Sequence, residues 1–225
     1  MLREFNLNAN QLNQFKIYAE FLLSENKKYN LTAIKDLNEV YLKHFYDSLK
    51  LSSYVDFNNI NSFCDIGSGA GFPGIPIKIM FPNLELTIIE PTQKRCNFLS
   101  KLVSLLELKN VIIINDRSEN IKEEQRDSFD IVSARAVASL PVLLELTIPY
   151  VKVGGYFLAL KGRNYQEELD ASKNALFELS SKVGAIYDYE LPNELGSRTV
   201  IKVEKHKKTK NKYPRIFQKI KSKSL

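Results

Sequence analysis

Asp65-x-Gly67-x-Gly69-x-Gly71 closes a short apolar run, Phe63 to Ile66, and leads into an apolar, helix-compatible stretch from Ile75 to Phe81. Strand, glycine turn and helix in that order bring backbone close to whatever lies on the turn, because glycine has no Cβ to stand in the way. The helix start beyond is expected to offer free N–H groups to the polar end of a ligand. A dinucleotide fingerprint would need Gly-x-Gly-x-x-Gly, and the third glycine position holds Phe72. The bland alternative is a glycine turn that holds nothing.

The elements that must position this turn alternate. Strand candidates are Phe63–Ile66, Leu84–Glu90, Val111–Asn115, Phe129–Ala134 and Tyr156–Lys161. Helical patterns fall between them at Ile75–Phe81, Thr92–Leu106, Ser118–Lys122 and Ser139–Tyr150. That alternation predicts a parallel sheet covered on both faces. A long helix is expected over residues 164–182. Strands Ala185–Leu191 and Arg198–Glu204 follow, and the short link between them forces an antiparallel hairpin.

In such sheets ligands lie at the C-terminal ends of the strands. Glu90 ends strand two, where an acid can accept both hydroxyls of a ribose; the alternative is an exposed surface acid. Asp116, Arg117, Ser118 and Glu119 follow strand three. One of them can reach an adenine amino group, or Ser118 caps a helix with acids in its first turn. Arg135, after strand four, is a fixed cation with a planar donor fork. It can face a cofactor carboxylate, a guanine edge or a phosphate, or serve in a structural salt bridge. Lys161-Gly162-Arg163 ends strand five and adds cations beside the same region. Strand four lacks the Asn/Asp-Pro-Pro-aromatic run of amino-group nucleic-acid methylases. Cys64 sits in a strand and Cys96 on a helix, both poor places for a nucleophile.

The chain has 225 residues, 44% of them hydrophobic, enough for one well-cored unit with a small accessory segment. Residues 1–60 are expected to form a helical cap. It has one amphipathic helix over residues 8–24 (Leu12, Phe15, Ala19, Leu22 and Leu23 inward, Asn8 or Asn10 as cap) and a second from Asp36. His44 and Asp47 share a face of that second helix, as an acid/base pair or as a satisfied histidine at the core edge. Residues 61–204 hold the sheet, and 205–225 form a basic tail. From Lys202 onward ten Lys/Arg face one acid, Glu204, so the +6 net charge of the chain resides in its end. That asymmetry points to a polyanionic partner, or to a solvated tail. Tyr213, Pro214, Ile216, Phe217 and Ile220 argue that part of the tail packs. There is no signal-peptide core, no membrane-length apolar run and no metal-ligand or disulfide pattern, so we expect a cytoplasmic, metal-free, monomeric protein.

The Asp65-to-Gly71 pattern resembles the first motif of class I S-adenosylmethionine methyltransferases. Across the chain the sequence resembles the RsmG (GidB) family of bacterial 16S ribosomal RNA methyltransferases. The likeness rests on Asn30-Leu-Thr-Ala-Ile34, His44-Phe-Tyr-Asp-Ser-Leu49, Asp65 to Pro76, Lys94-Arg95, Phe98-Leu99, Ala134-Arg-Ala-Val137, Leu160-Lys-Gly162 and Tyr213-Pro-Arg215. The resemblance implies a Rossmann-like α/β fold with a mostly parallel seven-stranded sheet and a terminal antiparallel hairpin. It implies S-adenosylmethionine as cofactor and transfer of methyl to N7 of a guanine near the decoding region. Its cofactor contacts fall on Gly67, Phe72, Ser118, Glu119 and Arg135; the turn and strand-two readings add Gly69, Gly71 and Glu90. Arg135, Lys161 and Arg198 are the candidates for positioning substrate, with no certain catalytic residue. Arg163, Arg198 and the tail are candidates for RNA backbone contacts. The family's usual acid after strand two is Asp, here Glu90, and its tryptophan before Asn30-Leu-Thr is missing. Methylation of a protein or small molecule, a non-catalytic RNA-binding module, and (disfavoured by Phe72 and the hairpin) a nicotinamide dehydrogenase are the competing functions.

Overall fold

The structure, a computed structural model, describes residues 2–162 and 165–225. Five strands run parallel: β1 Ser62–Ile66, β2 Glu85–Ile89, β3 Val111–Ile114, β4 Phe129–Arg135 and β5 Val151–Lys161. β6 Ser181–Glu190 and β7 Ser197–Lys205 form the expected antiparallel hairpin, and β7 inserts beside β5. The sheet order is β3-β2-β1-β4-β5-β7-β6. The apolar runs of β1 and β2 suit the interior of a parallel sheet, buried on both faces, whereas β3, Val111–Ile114, is the edge strand and leaves Ile112 60% exposed.

Helices α1 Ala9–Tyr29, α2 (residues 37–49), α3 Gly74–Met80 and α4 Gln93–Leu105 pack on one side. Helix α5 Leu140–Thr147 with the short α6 Gln166–Ala171 and α7 Lys173–Glu178 packs on the other, and α8 Phe217–Ser222 closes the chain. Asn8 caps α1 through a reciprocal pair with Gln11, whose side-chain amide also donates to the Ile79 and Met80 carbonyls. The inward face of α1 is Phe15, Tyr18, Ala19 and Leu22; Leu12, expected inside, is 48% exposed, because the stripe turns through Tyr18 instead. Phe15, Tyr18, Phe45 and Leu49 share one apolar core with Phe63, Phe72 and Ile75. Helix α2 widens to a π-helix over Val40–Tyr46, a distortion that often accompanies functional sites.

The long helix expected over residues 164–182 is two short ones that break at Ser172, and β6 already begins at Ser181. Alternate burial along 181–190 has a period of two, so the strand expected from Ala185 starts four residues earlier and takes the end of the expected helix. The predicted helix at Ser118–Lys122 is a single 3₁₀ turn, Ser118–Asn120. β5 starts at Val151, five residues early, where a Cβ on Gly155 would sit 2.6 Å from the Asp130 carbonyl oxygen.

The tail is docked rather than free. Tyr213 and Ile220 are buried. Arg215 grips the carboxylate of Glu145 with Nε at 2.8 Å and Nη2 at 2.6 Å, and Glu145 itself is fully buried on α5. Its lysines at 207, 208, 210, 212, 219, 221 and 223 remain exposed.

Candidate functional site: two cavities that meet at Ala136

Two cavities open at the C-terminal ends of the parallel strands, and Ala136, in a left-handed conformation (φ 55°), lines both. The first, about 270 Å³, is walled by Gly67, Glu90, Ser118, Glu119 and Val137, with Arg95, Arg117, Leu146 and Phe217. The second, about 400 Å³, lies between the strand ends and α2, walled by His44, Asp47, Arg135, Lys161 and Arg198.

The glycine turn is held from below. Asp65 is fully buried; its carboxylate accepts the Ser68 hydroxyl at 2.5 Å, the Gly74 N–H at 2.8 Å and the Ser133 hydroxyl at 2.9 Å. Burial pushes the Asp65 pKa up, and these three donors counter it. The helix start is therefore not free for a ligand: Asp65 takes the Gly74 N–H and Gly71 the Ile75 N–H. That expectation is corrected; an internal carboxylate caps α3.

The three glycines do different work. Gly69 (φ 61°) faces open space, with no atom within 4 Å of where its Cβ would be. A Cβ on Gly71 would lie 2.6 Å from the Tyr18 hydroxyl, so this glycine serves the close packing of α1. Its neighbour Phe72 is buried and stacked between Tyr18 (5.3 Å between centroids) and His44 (4.3 Å). Of the three turn glycines only Gly67 walls the first cavity; Gly69 touches it through its N–H on Glu90, and Gly71 and the Phe72 ring lie outside its walls.

Glu90 is at the cavity, fully buried, and joins two segments: Oε2 accepts the Gly69 N–H at 3.0 Å and Oε1 the Thr92 N–H at 2.9 Å. It is not a surface acid. Each carboxylate oxygen has a second lone pair. Ser118 caps nothing; Asp116 accepts the Arg117 N–H at 2.7 Å and the Asn120 amide at 2.7 Å, which leaves Ser118 and Glu119 as walls.

Arg135 stands in the second cavity rather than the first. Its guanidinium donates to Asp47 at 3.0 Å and to His44 Nδ1 at 3.1 Å, and it lies 5.0 Å from the Phe72 ring centroid. A guanidinium only donates, so Nδ1 must accept, and Nε2 carries the proton towards Thr32 Oγ1 at 2.9 Å. Asp47, 2% exposed, also accepts the Tyr189 hydroxyl at 2.7 Å and lies 3.6 Å from Arg198 Nε. Lys161 is spent on Glu168 (2.6 Å) and the Ala138 carbonyl (2.8 Å), pinning the loop that carries Ala136. Arg163 lies outside the described residues. His44, Asp47 and Tyr189 were visible only as a helix-face pair and an unremarkable strand tyrosine. Phe217 carried no pocket signal in the sequence, and Arg117 stood out only as one of four residues after strand three that could reach an adenine amino group.

Burial first, and the fixed charge of Arg135 second, pull the His44 pKa down to about 3, so this ring stays neutral. The unfolded chain binds a proton there below its ordinary value of about 6.5, which the folded chain refuses. The His44 contribution to stability is therefore complete above pH 6.5 and declines as pH falls from there towards 3. Urea midpoints at pH 7 and 5.5 should show the native chain losing about 1 kcal/mol more than His44→Gln. Equal losses would mean that His44 is protonated in the fold.

Among the described residues no helix is long and apolar enough to cross a membrane, and no group of three or more His, Cys, Asp or Glu is placed to hold a metal ion. In overall shape the chain resembles an AdoMet-bound TYW2 from M. jannaschii (TM-score 0.55, 19% identity, 71% of this chain and 76% of that one). It also resembles a SAM-dependent O-methyltransferase from Thermotoga maritima (TM-score 0.57, 16% identity, 84% and 73%). These likenesses identify the fold as that of class I S-adenosylmethionine methyltransferases. In sequence it is 50% identical over 211 residues to the ribosomal RNA small subunit methyltransferase G of Bacillus cereus, and 47% identical to that of Bacillus subtilis, in both cases over 93% of this chain and 88% of the relative. The family profile described as rRNA small subunit methyltransferase G, GidB, matches residues 11–193. With half its residues shared along nearly its whole length, the chain belongs to the rRNA small subunit methyltransferase G family.

Proposed function

We propose that this protein transfers a methyl group from S-adenosylmethionine to N7 of a guanine in 16S ribosomal RNA near the decoding region. The observation that carries the reading is the pair of cavities sharing Ala136. One has the furniture of a nucleoside site, the other that of a base site, and Ala136 walls both.

The first cavity suits the cofactor on this structure's own terms. Gly69 leaves the space above the turn clear, Glu90 offers buried acceptor lone pairs for ribose hydroxyls, and Ser118 and Glu119 stand where an adenine edge would lie. The bound cofactor would supply an activated methyl group on a sulfonium. Guanine N7 carries a lone pair and no proton, so the protein need supply no base and no metal; its task is alignment. Holding two reactants in near-attack geometry is worth roughly 7–11 kcal/mol.

The second cavity does the aligning of the base. Arg135 and Arg198 present donor forks that fit a guanine edge or a phosphate. Asp47 pairs with both and offsets one of their two positive charges, so the methylated, cationic ring meets less positive charge than the two arginines alone would present. Neutral His44 orients Arg135 without adding a proton. Exposed lysines of residues 205–225 lie outside both cavities and suit backbone phosphates. In this reading residues 1–60 act as a cap that supplies Asp47, residues 61–204 as the methyltransferase domain, and the protein works in the cytoplasm as a monomer, since one chain walls both cavities.

The test is mass mapping of methylated guanosines in small-subunit ribosomal RNA from cells with and without the protein. One N7-methylguanosine should vanish with the gene and return with the purified protein plus S-adenosylmethionine. A full complement of N7-methylguanosine in its absence would refute the assignment.

A further inference from the structure

The basic end of the chain has an apolar ring where a ligand pocket needs a wall. Phe217 lines the first cavity, although the nearest other wall residues belong to α5 and to the loops after β1, β2, β3 and β4. It does not reach there by chance. Two residues before it, Arg215 is locked onto the fully buried Glu145 by its backbone N–H (2.8 Å), Nε (2.8 Å) and Nη2 (2.6 Å). Three residues after it, Ile220 is fully buried. The residue after Glu145, Leu146, lines the same cavity. One turn of α5 therefore both contributes a wall and clamps the segment that contributes another.

Phe217 also meets Arg117, whose guanidinium carbon is 5.5 Å from its ring centroid; Arg117 in turn lies 3.6 Å from Glu119. Ring, guanidinium and carboxylate form a row along the side of the cavity that follows β3. Within the nucleoside reading this is the adenine side, because Glu90, after β2, faces the sugar. An aromatic ring and the flat face of a guanidinium are the groups on which a purine stacks.

We infer that the C-terminal segment is a structural part of the cofactor site, with Phe217 a binding residue that packs on the adenine and Arg215 the positioning residue that holds it there. The inference rests on the reading of the first cavity as the nucleoside site. It separates the tail into two halves by use: the clamp and ring at 213–220 for the nucleoside, the exposed lysines for polyanion.

Calorimetric titration with S-adenosylhomocysteine and with adenosine tests it in the full-length chain. Phe217→Ala should weaken both ligands about tenfold, by the same factor, because the lost contact is to the base they share. Phe217→Tyr, which keeps the ring, should stay within about twofold of the native chain. Circular dichroism and the melting temperature without ligand should be unchanged in both, since Phe217 is only half-buried. Gly69→Asp, which places a carboxylate beside the cavity residue Glu90, serves as the control on the nucleoside site. If it abolishes binding while Phe217→Ala binds normally, the cavity is right and the wall is wrong. If Gly69→Asp also binds normally, the nucleoside reading falls and this inference with it.

Discussion

A chain carrying Gly69→Asp folds but no longer gains thermal stability from S-adenosylhomocysteine: that is the expected outcome, and the reasons are local. Gly69 sits at φ 61°, a conformation that side chains tolerate poorly, although Asp is among those that tolerate it best. No protein atom lies within 4 Å of its missing Cβ, so the new side chain meets no core atom and the fold survives. The carboxylate instead enters the space assigned to the cofactor, next to Glu90, whose Oε2 is 3.0 Å from the Gly69 nitrogen. Two anions side by side would repel each other and block a ribose. For the native chain, ligand at a hundred times its Kd stabilises by about 2.7 kcal/mol, on the order of 5–10 °C for a chain of this size. NAD should give no shift, because Phe72 stands where its fingerprint needs glycine. An unchanged shift in the variant, or a shift with NAD, would show that the turn holds something else.

The sheet was legible in the sequence because each parallel strand is a compact apolar run ending in a polar turn. The turn itself was legible because glycines, Asp65 and Glu90 lie within 26 residues of each other. What each glycine does was not. Gly69 faces solvent space and Gly71 faces Tyr18 of α1, a contact between segments 53 positions apart that no local pattern encodes. The same holds for Arg135. Its partner could have been a ligand or a residue; the structure assigns it Asp47, 88 positions earlier. Tyr189 reaches Asp47 across 142 positions. Phe217 was legible as part of a tail that packs, but not as a cavity wall: only the Arg215–Glu145 clamp, 70 positions apart in sequence, sets where the ring goes. The misread helix over 164–182 failed for the opposite reason. The expected stretch is helical at Gln166–Ala171 and Lys173–Glu178, and only its end, from Ser181, belongs to an alternating strand whose half-exposed face gives a weak signal.

Asp47→Asn makes the larger claim about chemistry. One carboxylate serves Arg135, Arg198 and Tyr189 at once. Asparagine keeps the size and one acceptor oxygen but removes the charge, leaving two neighbouring guanidiniums without the carboxylate they share. Affinity for S-adenosylhomocysteine should change less than about twofold, because Asp47 does not line the first cavity. The kcat for methyl transfer should fall about a hundredfold, equivalent to about 2.7 kcal/mol of barrier. The loss has two parts: guanidiniums released from position, and one more uncompensated positive charge while the purine itself becomes cationic. Tyr189→Phe separates them. It removes one donor from Asp47 but leaves the charge and both arginines in place, so kcat should drop less than tenfold, with about 1 kcal/mol lost in stability. If the two variants lose kcat equally, Asp47 acts by geometry alone. If Asp47→Asn turns over normally, the second cavity is not where the base is held.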